Sequence, residues 1–351
     1  MLKKYQLSKR KIIITSTLII FLSGIGSYLY HTWHKPLGPS LNLTETSENR
    51  ERTAGNSEDK TDSALKPVCG GPSSMMILVA GVGSDNLSSG PADDIRLVRL
   101  DFQKKKVSVL ALSPDLWVNI PAIAEHGIEK GRLNQAYLFG TEEVGFYDSR
   151  GRGAELLART LQKNFGLEPD HYLAFDLKVF RKIVDKVGGI EVNFSRNLDL
   201  KLSGEPVMSI QTGRRHLNGR QAEIVVRARI KKDDYSRLDN QTLVLRALAD
   251  KTLTPNNLKE LPNLVNLVLD RISTDFSPAE IKKLICLARK IDPARDITYL
   301  NLPREILTRK QIKDEFLERK VQAYTWEPED IRRLIADFQA GKLPNNPGNN
   351  P

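Results

Sequence analysis

Lys3, Lys4, Lys9, Arg10 and Lys11 stand directly before an uncharged run from Ile12 to Tyr30. That run is about long enough to cross a hydrocarbon core as one helix. Basic residues gather on the cytoplasmic side of such a helix, so residues 1–11 are expected inside the cell and everything after Tyr30 outside it. The run is long for the apolar core of a signal peptide and no A-x-A-type site closely follows it, so an uncleaved anchor is the reading taken. Tyr28, Tyr30 and Trp33 suit an interfacial aromatic belt at its outer end. From 31 to 74 the chain is rich in Ser, Thr, Glu, Asn, Gly and Pro, which predicts a disordered extracytoplasmic tether. A folded unit must therefore begin near Met75.

Beyond that point the pattern alternates. Met75–Ala80 is a short apolar run closed by Gly81-Val82-Gly83, read as a buried strand and tight turn. Ile95–Leu100 and Val107–Leu112, joined by a short polar connection, read as a hairpin. Ala154, Ala158, Leu161 and Phe165 line one helix face that Gly166 ends. A strand at His171–Phe175 follows, then a second amphipathic helix through Val179, Phe180, Ile183, Val184 and Val187, then a strand at Ile190–Phe194. Ser277-Pro278-Ala279-Glu280 is a capping box with proline at the first helical position, and a further helix runs from Trp326-Glu327-Pro328-Glu329 towards Gln339. The expected fold class is α/β, one domain over 75–340, with a disordered tail at 341–351.

The chain carries a net charge of +10, which favours anionic partners such as phosphorylated polymers or lipid head groups. The outward topology and the lack of any RNP-like or helix-turn-helix signature argue against nucleic acid. Two cysteines, Cys69 and Cys286, are too few for a disulfide scaffold, and the sequence leaves open whether they pair. No Cys/His spacing suggests zinc. His126, His171 and His216 fall on unrelated elements, so a Ser-His-Asp triad has no support.

Three clusters carry candidate chemistry. Gly81-Val82-Gly83-Ser84-Asp85, with Asp93-Asp94 soon after, could let backbone N–H groups approach a phosphate while carboxylates hold a hard cation; it lacks the ending of a Walker A loop. In the second, Glu223–Ile230 reads as a strand, which would put Arg227 and Arg229 on one face. Ser236-x-x-Asp239 reads as the cap of a helix from Arg237 towards Leu253, with Arg237 and Gln241 together on its first turns. Two arginines beside a helix N-terminus would suit a pyrophosphate, and Asp234 could orient an arginine or act as a base. A solvated basic strand beside an ordinary cap stays open as the plainer reading. The third is Asp115, in Leu112-Ser113-Pro114-Asp115, which taken alone would pass as a turn aspartate.

Taken in order, these clusters resemble the LytR–CpsA–Psr family of cell-envelope glycopolymer transferases. The likeness runs from about Met76 to Gln339: ILVAGVGSD, then DDIRLVRLD with VSVLALSPD and VNIP, then RLNQAY, HYLAFDLKVFRKIVDKVGGIEV, GRRHLNGRQAEIVVRAR and DYSRLDNQ. The resemblance implies an α/β/α sandwich with a mixed central sheet and an apolar tunnel for a polyprenyl tail. It implies transfer of a phosphoglycopolymer from a polyprenyl-(pyro)phosphate carrier to a wall acceptor hydroxyl, commonly on peptidoglycan, assisted by Mg²⁺. By the same resemblance Asp85 and Asp93 match metal ligands. Arg227, Arg229, Arg237 and Gln241 match pyrophosphate contacts, and Asp234 a functional acid. The chain departs from the family at Pro91 and Pro114, where arginines are usual. Arg96 and Arg99 are nearby substitutes, but their spacing puts them on opposite strand faces. The departures leave an alternative, a non-catalytic binding protein for the same lipid-linked polymer.

Overall fold

A computed structural model describes residues 28, 30–43, 66–228 and 234–342. The apolar run at 12–30 falls, apart from Tyr28 and Tyr30, outside the described residues, and so do 343–351. Among the described residues no helix is long and apolar enough to cross a membrane.

Strands β1 (Ser74–Val82), β2 (Ala92–Asp101) and β3 (Lys106–Leu112) form an antiparallel meander. β4 (Trp117–Asn119) and β5 (Lys130–Arg132) pair separately as a small ladder. β6 (His171–Phe175) lies parallel to β1, β11 (Ser273–Thr274) edges β6, and β12 (Ile297–Asn301) lies parallel to β3. The result is a six-stranded mixed sheet in the order β11-β6-β1-β2-β3-β12. The strands are apolar on both sides because both sides are covered. One face presents Leu78, Ala80, Ile95, Leu97 and Leu110 to α1 (Leu133–Phe139), α2 (Arg152–Phe165) and α9 (Pro328–Gln339). The other presents Ile77, Leu100, Val107 and Val109 to α7 (Pro278–Ala288) and to part of α5 (Asp234–Thr252). This is the α/β/α arrangement.

A second core gathers beside the sandwich. It joins α3 (Leu177–Lys186), β7 (Ile190–Phe194), β8 (Leu198–Leu200), β9 (Met208–Ile210), β10 (Gly213–Leu217), α4 (Gly219–Arg227), α5 and α6 (Pro255–Val268). The strand expected at Ile190–Phe194 is present, but among the described residues it pairs only with β10 and takes no place in the central sheet. The short helix α8 (Pro293–Asp296) leads into β12, and β13 (Leu307–Asp314) pairs with β14 (Arg319–Trp326) before α9.

Parts of the stretch expected to be a free tether are packed on this domain. The Leu37 N–H donates to the Phe276 carbonyl at 3.1 Å, and Leu41 and Leu43 lie against the main core. Gly38 comes so close to the Thr274 carbonyl that a Cβ would sit 2.7 Å from it. Cys69 is joined to Cys286 of α7 by a disulfide across 217 residues. Polar composition hid these contacts, because Leu37, Leu41, Leu43 and Cys69 form no periodic face.

Candidate active site

The carboxyl ends of the parallel strands β1 and β6 meet the start of β2, α3 and the α4–α5 junction, and a narrow cleft of about 50 Å³ opens there. Crevices at strand carboxyl ends are the usual ligand sites of open α/β sheets. Its walls differ in character. Val82, Phe175, Leu177, Phe180, Val226 and Leu245 are apolar, whereas Asp93, Asp94, Arg227, Arg237 and Gln241 are polar. The volume admits about three waters. The family resemblance implies an apolar tunnel; here an apolar wall faces Arg227 and Asp93, and the space beside it is only this narrow cleft.

The β1–β2 ladder pairs Gly81 with Asp94 and then Val82 with Ala92, so Asp93 is the extra residue of a β-bulge. Bulges re-aim one side chain out of the ladder. Here the bulge lays the Asp93 carboxylate over Gly83, where an added Cβ would stand only 2.3 Å from Asp93 Oδ2. Only glycine leaves that room. Asp85 and Asp93 are both part-exposed, at 50% and 34%. Each faces an arginine: Arg181 Nη2 donates to Asp85 Oδ1 at 3.0 Å, and Arg237 Nη1 lies 3.5 Å from Asp93 Oδ1. Among the described residues no three acidic, His or Cys side chains gather into a metal cage.

Arg227 is not on a strand. It ends α4, whose start is a capping box in which Asn218 accepts from the Gln221 N–H and Gln221 accepts from the Asn218 N–H. Ala222 and Val225 then bury one helical face. The i, i+2 pairing of Arg227 with Arg229 therefore has no strand to carry it. Arg229 lies outside the described residues, as does the Asp234 side chain. The helix expected from Arg237 begins at Asp234, so Ser236 and Asp239 fall inside α5 instead of capping it.

Two charge networks hold the polar wall. In one, the buried Glu223 accepts from Arg227 at 2.8 Å, Arg181 at 2.7 Å and Arg220 at 2.6 Å. Burial alone would push the Glu223 carboxyl up, but the hydrogen bonds from Arg181, Arg220 and Arg227 outweigh it and hold the group below the usual carboxylate range. Arg181 thereby links Glu223 to Asp85. In the other, Asp115, only 1% exposed, accepts from Arg132 at 3.2 Å and from Arg237 at 3.5 Å. Arg237 in turn faces Asp93, so Asp115 positions a cleft arginine. The amide of the buried Gln241 donates to the Asp93 and Val226 carbonyls at 3.2 and 3.3 Å. Asp176 caps α3 by accepting from the Val179 N–H at 2.8 Å, which places a carboxylate at a helix start that could otherwise have taken a phosphate.

The chain matches the LytR_cpsA_psr family over residues 40–326. It belongs to the LytR–CpsA–Psr family. One relative, the polyisoprenyl-teichoic acid–peptidoglycan teichoic acid transferase TagU of Enterococcus faecalis, is 26% identical over 278 residues, 78% of this chain and 80% of that one. Another, the regulatory protein MsrR of Staphylococcus aureus, is 25% identical over 65% of this chain, which spans 64% of that protein's length. Among solved structures, B. subtilis TagV shares the fold with a TM-score of 0.61 at 20% identity, covering 77% of this chain and 97% of that one.

Within this LytR–CpsA–Psr fold, Pro91 and Pro114, the two departures noted in the sequence, offer backbone carbonyls. The Pro91 carbonyl accepts from Gly83 and the Pro114 carbonyl from Asn134, both at 2.9 Å. Neither suggested substitute lines the cleft. Arg96 is spent on Asp94 at 2.8 Å and Thr242 at 3.0 Å, while Arg99 leaves by the opposite face to the Gln339 carbonyl. The supporting residues Arg181, Glu223, Arg132 and Asp176 escaped the sequence reading: Arg181 and Arg132 meet partners on other elements, and the i, i+4 pair of Glu223 with Arg227 was hidden by reading that run as a strand. One error was avoidable: Asn218-x-x-Gln221 is itself a capping-box signal, readable beside the β-branched run that suggested a strand.

Proposed function

We propose that this protein transfers a phosphoglycopolymer from a polyprenyl-pyrophosphate carrier to a hydroxyl of a wall acceptor, with peptidoglycan as the acceptor. The observation that carries this reading is the two-sided cleft: an apolar wall for a lipid tail set against arginines and aspartates for a pyrophosphate. The Enterococcus relative, named as a teichoic acid transferase acting on peptidoglycan, supports the same chemistry. In the reaction, the acceptor oxygen bonds to the phosphorus that carries the polymer. The bond from that phosphorus to the bridging oxygen breaks, and polyprenyl phosphate leaves.

Arg227 and Arg237 bind the pyrophosphate and offset the charge that builds on the leaving phosphate. Asp115 and Glu223 hold those two arginines in place. Asp85 and Asp93, now facing Arg181 and Arg237, are the residues that would hold Mg²⁺. Two part-exposed carboxylates suit this ion, which commonly completes its shell with substrate phosphates and water. Bound there, the ion would neutralise phosphate charge. Asp234 is assigned as acceptor base and Arg229 as a further phosphate contact, both from their place in the family pattern. A narrow cleft implies that α3 and α5 part to admit the tail. The reaction places the domain outside the cytoplasmic membrane, with residues 12–30 as its anchor. A disulfide suits that oxidising side.

The test is incubation with a polyprenyl-pyrophosphate-linked glycan, oligomeric peptidoglycan and Mg²⁺. Release of polyprenyl phosphate with a new phosphodiester on the acceptor is the expected result. Tight binding of the carrier with no release would favour the second reading, a binding protein, to which Pro91 and Pro114 point.

A further inference from the structure

Away from the cleft, a groove of about 320 Å³ opens between β4, the end of α2 and the start of α9. Its walls carry Trp117 and Trp326, two of the three tryptophans of the chain, together with Lys130, Lys163 and Arg332. Among the described residues none of the three cations has an ion-pair partner. Asn119 and Thr325 add amide and hydroxyl groups at the rim. The groove is held in shape. Asn164 accepts from the Asn119 N–H at 2.9 Å and donates to the Asn119 carbonyl at 2.7 Å, and Trp326 packs on Phe165 with ring centroids 5.3 Å apart.

The groove is tied to the site through Asp115. Trp117 lies two residues beyond it, at the start of β4. Trp117 is also the cross-strand partner of Arg132, whose guanidinium bonds Asp115. On the other side, the Tyr324 N–H donates to the Asp115 carbonyl at 2.9 Å, and Trp326 lies two residues beyond Tyr324. Both tryptophans thus hang on backbone that is fixed to the residue positioning Arg237.

We infer that this groove binds an acidic glycan strand and presents it as the acceptor; the acceptor role rests on the transferase reading, whereas the binding does not. Flat amphipathic rings suit the apolar faces of sugars. Unpaired cations suit carboxylates, and the amide and hydroxyl groups suit sugar hydroxyls. Aromatic rings with cations would also suit single-stranded nucleic acid. The disulfide-permissive compartment implied by Cys69–Cys286 favours the glycan.

The test is a tryptophan-fluorescence titration of the full chain with a peptide-free tetrasaccharide of peptidoglycan, whose lactyl groups are carboxylates. Neutral chitotetraose and a thymidine oligonucleotide are titrated in parallel. The acidic tetrasaccharide should quench the emission and bind about tenfold more tightly than chitotetraose, as one or more charge-assisted contacts would give. By calorimetry, the exposed pair Lys130→Gln and Arg332→Gln should remove that preference without changing the melting temperature. Trp117→Phe with Trp326→Phe should weaken both sugars. No quenching, an unchanged preference in the lysine–arginine variant, or tighter binding of the oligonucleotide would each overturn the inference. Farnesyl pyrophosphate binding in the same samples reads the cleft separately. Its failure with the glycan still bound would sink the transferase reading and leave the groove standing.

Discussion

Arg227 and Arg237 look equivalent in the sequence, yet their surroundings predict opposite consequences of removing them. Arg227 is 37% exposed, and its partner Glu223 keeps Arg181 and Arg220 when it goes. Arg227→Ala therefore strands no charge, and its stability cost should stay under about 1 kcal/mol, the range of exposed pairs. Arg237 is 3% exposed between Asp93 and the buried Asp115. Breaking a buried pair costs about 3–5 kcal/mol, and the lower end applies because Arg132 still holds Asp115. For a domain of this size that is a fall in melting temperature of roughly 5–10 °C. Affinity should behave differently. If both guanidiniums contact one pyrophosphate, each removal forfeits a charged hydrogen bond of about 1.5–3 kcal/mol, roughly tenfold or more in Kd. Titration calorimetry with farnesyl pyrophosphate in Mg²⁺ buffer, beside thermal melts, separates the two quantities. Arg227→Ala should lose affinity at an unchanged melting temperature, with Arg227→Lys recovering only part because a point charge replaces a planar fork. Normal affinity in Arg227→Ala would refute the cleft as a phosphate site. An unchanged melt in Arg237→Ala would refute the buried-pair account.

Gly83→Ala should push the Asp93 carboxylate off its seat, since the new Cβ would stand 2.3 Å from Oδ2. The Mg²⁺ dependence of ligand binding should then weaken by about tenfold in a metal titration, the scale of one lost charged contact. Thiol titration of the unfolded, unreduced chain should find no free cysteine, because Cys69 and Cys286 are bonded. Replacing both with serine should destabilise the domain by up to about 5 kcal/mol, the chain-entropy figure for so long a loop, measured by denaturant unfolding. His171 lies 3.3 Å from both Asp275 and Glu280. Burial opposes its charge, but Asp275 first and Glu280 after it outweigh this and raise its pKa above 6.5. A raised folded-state value contributes stability that is fully present below 6.5 and fades as pH rises through the folded value. Melts should therefore show wild type losing stability relative to His171→Gln as pH rises beyond 6.5, and parallel curves would exclude the effect.

The sequence alone determined the elements whose cause is local. The hairpin of β2 and β3, α2 stopped by Gly166, α7 behind its Ser277 cap and α9 from Pro328 all appear where periodicity and capping chemistry put them. Through the family pattern it also grouped Asp93, Arg227, Arg237 and Gln241, which line one cleft in the structure. What it could not decide was local structure at odds with propensity. The run Ile224-Val225-Val226-Arg227 has the composition of a strand, but an N-cap and a buried helical face outweigh that preference, which is worth only a few tenths of a kcal/mol per residue. Nor could it reveal contacts that only chain closure makes. Arg181 meets Glu223 across 42 residues, Gln241 meets Asp93 across 148, and Cys69 meets Cys286 across 217. Periodicity records which face of each element is buried. Which two faces meet, and which charges they bring together, is settled only when the whole sheet and its covering helices pack.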